Sequence, residues 1–179
     1  MMPSVDGLHF DFENMPVRLV ATRKIPRIET SGILMEETEA GRELTVKLWM
    51  AWELVEAGLA RFADDGLSNE EWTQVHYRER FQPLGSPSPL PDGFYSRAYL
   101  TFSRLKREAR GDEARLNSLS RMGGRFRDIL ESRIGRVVRL ASAEAPASPR
   151  SLQPEEASLY EKLHPMISSW RRETRRLGE

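Results

Sequence analysis

The feature that most constrains the fold is a change in the spacing of apolar residues near residue 47. Before this point, short β-branched runs alternate with prolines and glycines, whereas after it apolar residues recur every three or four positions. The first pattern is typical of short strands and the second of amphipathic helices. The predicted strands are 17–21, 25–28, 33–35 and 44–46. The sequence therefore predicts a mainly α protein, with a small β domain at 1–46 and a helical domain of about five helices, bundle-like, at 47–179.

The first predicted helix begins at Leu48. Leu48, Trp49 and Trp52 lie on one face of it. Gly58 is placed to end it, because glycine readily adopts the left-handed conformation at a helix C-terminus. A sheet of four short strands is too small to be stable alone, so we expect the β domain to pack on its neighbour.

Four of the later helices have starts that the sequence indicates directly. Ser68 and Glu71 have the spacing of a capping box, in which each side chain accepts a hydrogen bond from the backbone of the other. Asp92 is expected to cap the third helix and Asp112 the fourth, which is the longest. Pro154 suits the first turn of the last helix, where its missing N–H costs nothing.

The longest helix carries a polar residue in its apolar stripe. Apolar residues recur there at three- and four-residue steps, and Arg133 occupies one of these positions. The last helix has a stripe that ends with Trp170 and contains Pro165, which we expect to kink it. Proline-rich segments at 83–91 and 141–149 are predicted to be an exposed loop and a linker.

Composition excludes several classes of protein. The chain has no cysteine, which removes disulfides, thiolate zinc sites and cysteine nucleophiles. Its 27 acidic residues balance its 27 basic residues, so no overall field attracts nucleic acid. No apolar run approaches the ~20 residues needed to cross a bilayer, and no charged-then-apolar leader opens the chain. We therefore expect a soluble cytoplasmic protein.

The sequence offers no recognisable set of catalytic or metal-binding residues. His9, His76 and His164 stand in different elements without a second ligand at helical spacing. No Gly-x-Ser-x-Gly turn occurs. Gly123 and Gly124 lie within a helix, lack the lysine of a phosphate-binding loop, and are expected to permit close approach of a second helix. The prediction is a protein that is not an enzyme and binds no metal and no cofactor.

Nucleic-acid binding is the alternative that the charge distribution leaves open. Between Arg97 and Arg139 there are twelve basic and five acidic residues. Such a stripe could contact phosphates. Acidic residues are interleaved with it, however, and the same pattern arises on the outer faces of two amphipathic helices. The sequence alone favours the second interpretation but does not exclude a stand-alone, arginine-rich helical nucleic-acid-binding protein.

Five stretches of the chain occur in the order and spacing found in subunits of the GINS complex. The first, Leu44 to Leu54, resembles the entry to the helical domain of that family, with valine, leucine-tryptophan, alanine and leucine at matching positions. The others are Gly58 to Ala60, then Ser68 to Trp72 with Glu79 and the loop leading to Phe94 and Tyr95, then Asp128 to Arg136, and finally Leu152 to Tyr160. The resemblance covers roughly residues 17 to 174. Because the β part comes first, the chain resembles the Psf-two/Psf-three class, and its compactness favours an archaeal source.

The resemblance implies a non-catalytic scaffold in DNA replication. A subunit of this class pairs with a GINS subunit of the opposite domain order in a heterotetramer. That assembly bridges and activates the MCM replicative helicase together with a RecJ-like factor of the Cdc-forty-five type, and primase or polymerase are further candidate partners. Direct contact with DNA is expected to be weak or absent. The implied location is the cytoplasm, at the nucleoid, or the nucleus in a eukaryotic source.

The matching stretches also imply roles for individual residues. Leu48, Trp49 and Trp52 are expected to hold the helical domain against the β domain and a neighbouring subunit. Phe94 and Tyr95 are expected to anchor the third helix.

Two more residues are candidates for an interface. For Arg133, two interpretations stay open: a fixed ion pair at a helix or subunit interface, or a side chain that snorkels at the edge of the stripe. Aromatic residues that remain outside the core would mark a subunit interface, and Trp170 is a candidate for this.

Overall fold

The structure is a computed structural model that describes residues 7–30, 32–64, 66–81, 87–143 and 151–178. It is mainly helical with a few strands near the N-terminus, which confirms the predicted fold class. The strands are β1 Pro16–Ala21, β2 Ile28–Thr30, β3 Ile33–Met35, β4 Glu43–Lys47 and β5 Ala60–Phe62. The helices are α1 Leu8–Glu13, α2 Leu48–Glu56, α3 Asn69–Phe81, α4 Phe94–Glu108, α5 Glu113–Ala141 and α6 Pro154–Arg175, with a 3-10 turn at Arg176–Gly178. None of the helices in the described ranges has the length and hydropathy that crossing a bilayer requires.

The chain divides into two compact units. The first, His9–Gly66, contains β1 to β5 and α2 and is here called the N-terminal unit. The second begins at Leu67, contains α3 to α6 and is here called the helical unit. The division therefore lies about 20 residues later than the boundary between residues 46 and 47 drawn from the sequence. The reason is that α2 packs on β1, β4 and β5 and so belongs with the strands.

β1 is the central strand of a three-stranded antiparallel sheet with the order β4-β1-β5. Its residues Val17, Leu19 and Ala21 are buried, whereas those between them are more exposed, as the period of two along a strand requires. β2 and β3 form a separate antiparallel hairpin. The sequence did not predict β5, which has only three residues and follows directly on the end of α2.

α2 supplies the large apolar side chains of the N-terminal unit. Leu48 is fully buried, and its amide donates a hydrogen bond to the carbonyl oxygen of Met15 at 2.9 Å. The ring of Trp52 meets that of Phe62 edge-on, with 4.7 Å between centroids. The helix ends as predicted, with Gly58 in the left-handed region at a φ of 68° and the hydrogen bonds of a Schellman motif around it.

Trp72 lies at the centre of the core of the helical unit. Its ring makes edge-on contacts with Phe94, Phe102 and Phe126, with centroid distances of 5.7, 5.6 and 5.8 Å. Edge-to-face aromatic contacts of this kind contribute stability beyond the burial of area. The other buried members of this core are Leu67, Val75, Leu90, Ala98 and Ile129.

The predicted starts of α3, α5 and α6 are confirmed, and α6 begins at Pro154. Ser68 and Glu71 form the capping box: the Ser68 amide donates to Glu71 Oε2 at 2.8 Å, and the Glu71 amide donates to Ser68 Oγ at 3.2 Å. Asp112 caps α5, since its Oδ1 atom accepts from the Arg115 amide at 3.1 Å.

The predicted cap of α4 by Asp92 is wrong. α4 begins at Phe94, directly after Gly93, which has a φ of 61° and provides no side chain. The Phe94 amide donates instead to Oε1 of Gln153, at 3.3 Å. Gln153 is the residue that precedes α6, so a side chain distant in sequence replaces the local cap.

α6 runs parallel to α5. Glu156, near the start of α6, contacts Arg133 of α5. About two turns further along both helices, His164 Nδ1 of α6 lies 3.0 Å from the carbonyl oxygen of Ala141 of α5. α6 continues as a helix through Pro165. The two helices share a second apolar cluster, formed by Val137, Ala141 and Tyr160 with Leu140, Leu152, Leu159, Leu163 and Ile167 around them.

Gly123 and Gly124 lie in the middle of α5 with open space beside them. A Cβ atom added to either would meet no atom of the described chain within 4 Å. The close approach of a second helix that the sequence suggested is therefore not made within the described part of the chain.

The predicted loop and linker are described only in part. Residues 87–91 have no regular secondary structure, as predicted, but Leu90 is buried in the core around Trp72, so this part of the loop is not exposed. Residues 83–86 lie outside the described residues. Of the linker predicted at 141–149, residues 144–149 also lie outside them.

Candidate functional site

Arg133 is buried between three helices of the helical unit. It projects from α5 and is 1% exposed. Its Nε and Nη2 atoms donate to the two carboxylate oxygens of Glu156, both at 2.7 Å, which is a bidentate pair. Its Nη1 atom donates to the carbonyl oxygen of Ser88 at 2.7 Å and to Glu79 Oε1 at 3.2 Å. Of the two interpretations left open by the sequence, the structure therefore shows a fixed ion pair between helices of one chain, not a snorkelling side chain.

A second buried arginine completes this arrangement. Arg136, one turn after Arg133 on α5, has its Nε atom 3.1 Å from Glu79 Oε2. Ser132 Oγ donates to the same oxygen at 2.9 Å. The set is here called the Arg133 cluster and consists of Glu79, Arg133, Arg136 and Glu156, with the hydroxyls of Tyr95 and Ser132.

Glu156 accepts hydrogen bonds from three directions. Besides the guanidinium of Arg133, its Oε1 atom accepts from the hydroxyl of Tyr95 at 2.7 Å. Its Oε2 atom accepts from the backbone amide of Gln153 at 3.0 Å, which is one half of the capping box that begins α6. Glu156, which takes part in the capping box at the start of α6, therefore also links that helix to α4 and α5.

The surroundings of Arg133 and Tyr95 fix the protonation states of these two residues. Burial acts to lower the pKa of the Arg133 guanidinium, but the hydrogen bonds and charge of Glu156, with the charge of Glu79, raise this pKa overall. Burial, and then the negative charge of Glu156, raise the pKa of Tyr95 far above its ordinary range. Arg133 is therefore a cation, and Tyr95 a neutral hydrogen-bond donor, throughout the physiological pH range.

The cluster is suited to holding helices together. Each of the four carboxylate oxygens of Glu79 and Glu156 accepts a hydrogen bond from a donor within the unit. A carboxylate in such a setting is occupied by its partners, whereas a general base needs access to a substrate or water. In the part of the chain that the structure describes, no group of three or more histidine, aspartate or glutamate residues could hold a metal ion.

Glu155, beside the cluster, is in a less favourable position. Its Oε2 atom is buried and has no hydrogen-bond partner in the described chain. Burial raises the pKa of this carboxyl above its ordinary value, against the effect of a hydrogen bond from its own backbone amide. Glu155 therefore takes up a proton more readily than an exposed glutamate does.

The structure places most of the residues predicted for an interface inside cores. Leu48 and Trp52 are buried in the N-terminal unit, and Phe94 is buried in the helical unit. Tyr95 is partly buried beside Phe94, and its hydroxyl reaches the Arg133 cluster. In this chain these four residues hold their own units together.

Two of the predicted residues are exposed. Trp49 is 37% exposed and Trp170 is 70% exposed. Other large apolar side chains share this exposure, and most belong to the helical unit. Those of the helical unit are Tyr77, Phe81, Leu116, Ile134, Val138, Met166 and Leu177, and those of the N-terminal unit are Phe10 and Leu34.

Sequence reasoning assigned no role to four members of the Arg133 cluster, namely Glu79, Ser132, Arg136 and Glu156. Arg136 has the helical spacing that places it on the same face as Arg133, and this signal was present in the sequence. Glu156 is the third residue of α6, where an acid is explained equally well by the helix dipole. Neither signal indicates that Arg133 contacts Glu156 and Glu79, because these residues are 23 and 54 positions away from it in the sequence.

The basic region at 97–139 presents less positive charge at the surface than its composition indicates. Arg97 makes a bidentate pair with Glu71, at 2.7 and 2.8 Å, and Arg133 and Arg136 are buried in their cluster. The arginines of this region that are exposed on α5 include Arg115, Arg121, Arg125 and Arg127.

The N-terminal unit contains a groove of about 500 Å³ between the β2–β3 hairpin, β4 and α2. Its lining includes the exposed side chains of Leu34 and Trp49, and its polar side chains are Glu36, Thr38, Thr45 and Lys47. The volume is in the range of small-molecule sites. No cluster of histidines or carboxylates accompanies the groove, so its lining does not define a reaction.

No protein-family model matches the chain, and no curated protein matches it. What the protein does is therefore argued from the residues and the geometry described above.

Proposed function

We propose that the protein is a non-catalytic scaffold subunit of the GINS complex, of the Psf-two/Psf-three class. It pairs with a subunit of the opposite domain order, and the resulting heterotetramer bridges and activates the MCM replicative helicase with a RecJ-like factor of the Cdc-forty-five type. Five stretches of sequence in the order and spacing of that family support the proposal.

The observation that carries the proposal is the apolar surface of the helical unit. Large apolar side chains on α3, α5, α6 and the final turn are exposed, and among them Tyr77, Phe81, Met166 and Trp170 are nearly two-thirds exposed or more. Burial of this apolar area against a second protein is favourable, because it removes the area from water. In a larger assembly, partner subunits would cover these side chains.

The Arg133 cluster supports the same function in a different way. It joins α3, α4, α5 and α6 through paired and hydrogen-bonded charges. A surface whose helices are fixed in advance loses little conformational freedom when a partner binds. The cluster therefore favours a rigid platform for assembly over acid–base chemistry.

The experiment that tests the proposal is co-expression with the GINS-like subunit of opposite domain order from the same source. The protein carries an affinity tag, and the partner does not. Because apolar contacts are not screened by salt, we expect the partner to remain bound in about 0.5 M salt. A tagged protein that is recovered without that partner at every salt concentration contradicts the proposal.

DNA binding is the second candidate function, favoured by the exposed arginines of α5. Its signature is an affinity for a short DNA duplex that falls steeply as salt rises, because each phosphate contact releases counterions. We expect little binding at physiological salt. Strong, salt-sensitive DNA binding without any protein partner would establish the second candidate in place of the scaffold.

A further inference from the structure

The last part of α6 extends beyond α5. His164 lies beside Ala141, the last residue of α5, whereas α6 continues to Arg175. Beyond this level, Arg171 Nη2 donates to the carbonyl oxygen of Ser142, the C-cap residue of α5, at 2.6 Å. The final three turns of α6 therefore run past the helix on which its first turns pack.

The apolar stripe of α6 continues along this extension. Leu159 and Leu163 are partly buried against the cluster around Val137. Met166 and Trp170 follow at helical spacing and are 68% and 70% exposed, and the stripe ends with Leu177 at 87% exposure. Met166 and Trp170 are therefore uncovered, although Ile167 between them is still partly buried against the same cluster.

Positive charge flanks the uncovered part of the stripe. Between Arg171 and Arg176 there are four arginines and a single acid, Glu173. Arg172 and Arg176 are mostly exposed, and both pair with Glu173, at 3.8 and 3.3 Å. The helix dipole favours cations at a C-terminus, but it does not account for a tryptophan and a methionine on the same surface. Tryptophan and arginine are the residues most enriched at the centres of protein interfaces.

We propose that the stripe from Met166 to Leu177 is the docking surface for an acidic amphipathic helix of a partner protein. The partner's apolar face covers Met166 and Trp170, and carboxylates along its edges pair with Arg172 and Arg176. A helix is the matching shape because the exposed residues recur at the spacing with which helices pack on each other. The inference rests on the proposed function in that the occupant is a protein subunit.

The direct test uses two synthetic peptides of about 20 residues, long enough to form a helix. Both carry a leucine stripe, which is flanked by glutamates in one and by lysines in the other. Binding of each labelled peptide to the full-length protein is followed by fluorescence anisotropy. We expect the glutamate peptide to bind wild type. We expect Trp170→Ala, and separately the double reversal Arg172→Glu with Arg176→Glu, to weaken that binding by about tenfold or more.

A matched pair on another helix provides the control. Tyr77 and Phe81 are also exposed and one turn apart, on α3, so Tyr77→Ala is expected to leave binding unchanged. The charge-reversed protein is expected to bind the lysine peptide instead. Because Trp170 is mostly exposed, its substitution is expected to leave the melting temperature within a few degrees of wild type, which separates lost docking from lost folding.

Other results would overturn the inference. Equal binding of the glutamate peptide to wild type and to Trp170→Ala would place its site elsewhere. Failure of that peptide to bind wild type, with or without binding of a DNA duplex to the same arginines, would exclude an acidic helix as the occupant.

Failure of the inference can be told apart from failure of the proposed function. A complex with the complementary GINS-like subunit that forms equally well with Trp170→Ala would preserve the scaffold and overturn the docking surface. Binding of the glutamate peptide through Trp170, without any complex with that subunit, would preserve the docking surface and overturn the scaffold.

Discussion

At the scale of single residues, Arg133 presents a balance of large opposing effects. Removing a guanidinium and two carboxylates from water costs several kcal/mol per ion, and this cost is offset only when geometry and hydrogen bonding are both good. Here the bidentate pair with Glu156, the contact with Glu79 and the Ser88 carbonyl satisfy the guanidinium. The result is specificity: α5 can dock on α3 and α6 in only one register without leaving a buried charge unpaired.

Replacing Arg133 therefore has a predicted cost. Arg133→Met keeps the volume of the side chain but leaves Glu156 and Glu79 buried without their shared cation. We expect the free energy of unfolding to fall by about 3–5 kcal/mol, measured by urea denaturation. Arg125→Met, at an exposed position of the same helix, is the control and is expected to change stability by less than about 0.5 kcal/mol. Equal effects of the two substitutions would show that the cluster does not stabilise the fold.

The pair of Glu71 and Arg97 predicts a dependence of stability on pH. The hydrogen bonds from Arg97 hold the pKa of the Glu71 carboxyl below its ordinary value of 4.5. Stability from this pair is therefore present above about pH 4.5 and lost as the pH falls through the lowered pKa. Glu71→Gln removes the charge but can still form the capping box. We expect it to cost about 0.5–1 kcal/mol near pH 7, since both side chains are nearly a third exposed.

The measurement is urea denaturation of wild type and Glu71→Gln from about pH 7 to about pH 3. The difference between the two proteins is expected to shrink as the pH falls below about 4.5 and Glu71 takes up a proton in wild type. A difference that stays constant over this range would mean that the charge of Glu71 contributes nothing.

Residues also mark the limit of what the sequence could predict about the site. The position of Arg133 in an apolar stripe follows from spacing alone. Spacing left open whether Arg133 forms an ion pair or snorkels at the edge of the stripe. Its partners do not follow, because Glu79 and Glu156 are brought to it by the packing of three helices. The same holds for Gln153, whose side chain takes the place that the sequence assigned to Asp92 at the start of α4.

At the scale of elements, α5 contains an apparent defect. Gly123 and Gly124 lie in the interior of this helix, and nothing in the described chain fills the space where side chains would be. Glycine lowers helix stability relative to alanine because it loses more backbone freedom on folding. We expect Gly123→Ala and Gly124→Ala each to raise the free energy of unfolding of the isolated protein by about 0.5–1 kcal/mol, measured by thermal and urea denaturation.

The same substitution at Gly93 is the control for this prediction. Gly93 has a φ of 61°, and a Cβ atom there would lie 3.1 Å from Ser96 Oγ. Gly93→Ala is therefore expected to destabilise the protein by about 1 kcal/mol or more. A loss of stability in the two α5 variants would contradict the open surroundings that the structure shows at those positions.

The elements that the sequence predicted correctly are those with long periodic patterns. The five helices from α2 to α6 follow from a period of 3.6. Gly58 indicates the C-terminus of α2, and Ser68 and Asp112 indicate the N-termini of α3 and α5. Among the elements that escaped prediction are α1 and β5, which have only six and three residues. The boundary between the units was misplaced because the change of period marks where helix begins, not where a core ends.

At the scale of the whole molecule, the two units differ in what they leave exposed. The N-terminal unit buries Leu48 and Trp52, which the resemblance had implied for contacts with other domains. The helical unit buries its charged cluster and exposes aromatic and aliphatic side chains along α3, α5 and α6. The helical unit thus has a buried charged cluster beside its apolar cores and many large apolar side chains on its surface, and a partner that covers those side chains accounts for their exposure.

The measurement that tests the scaffold most directly is the mass of the purified complex, determined by light scattering after co-expression with the complementary GINS-like subunit. If the protein is a scaffold subunit, we expect one species with the mass of two copies of each chain. This species should stay intact in about 0.5 M salt, because salt does not screen apolar contacts. A lone monomer of this protein, unchanged by the presence of that subunit, would contradict the proposed function.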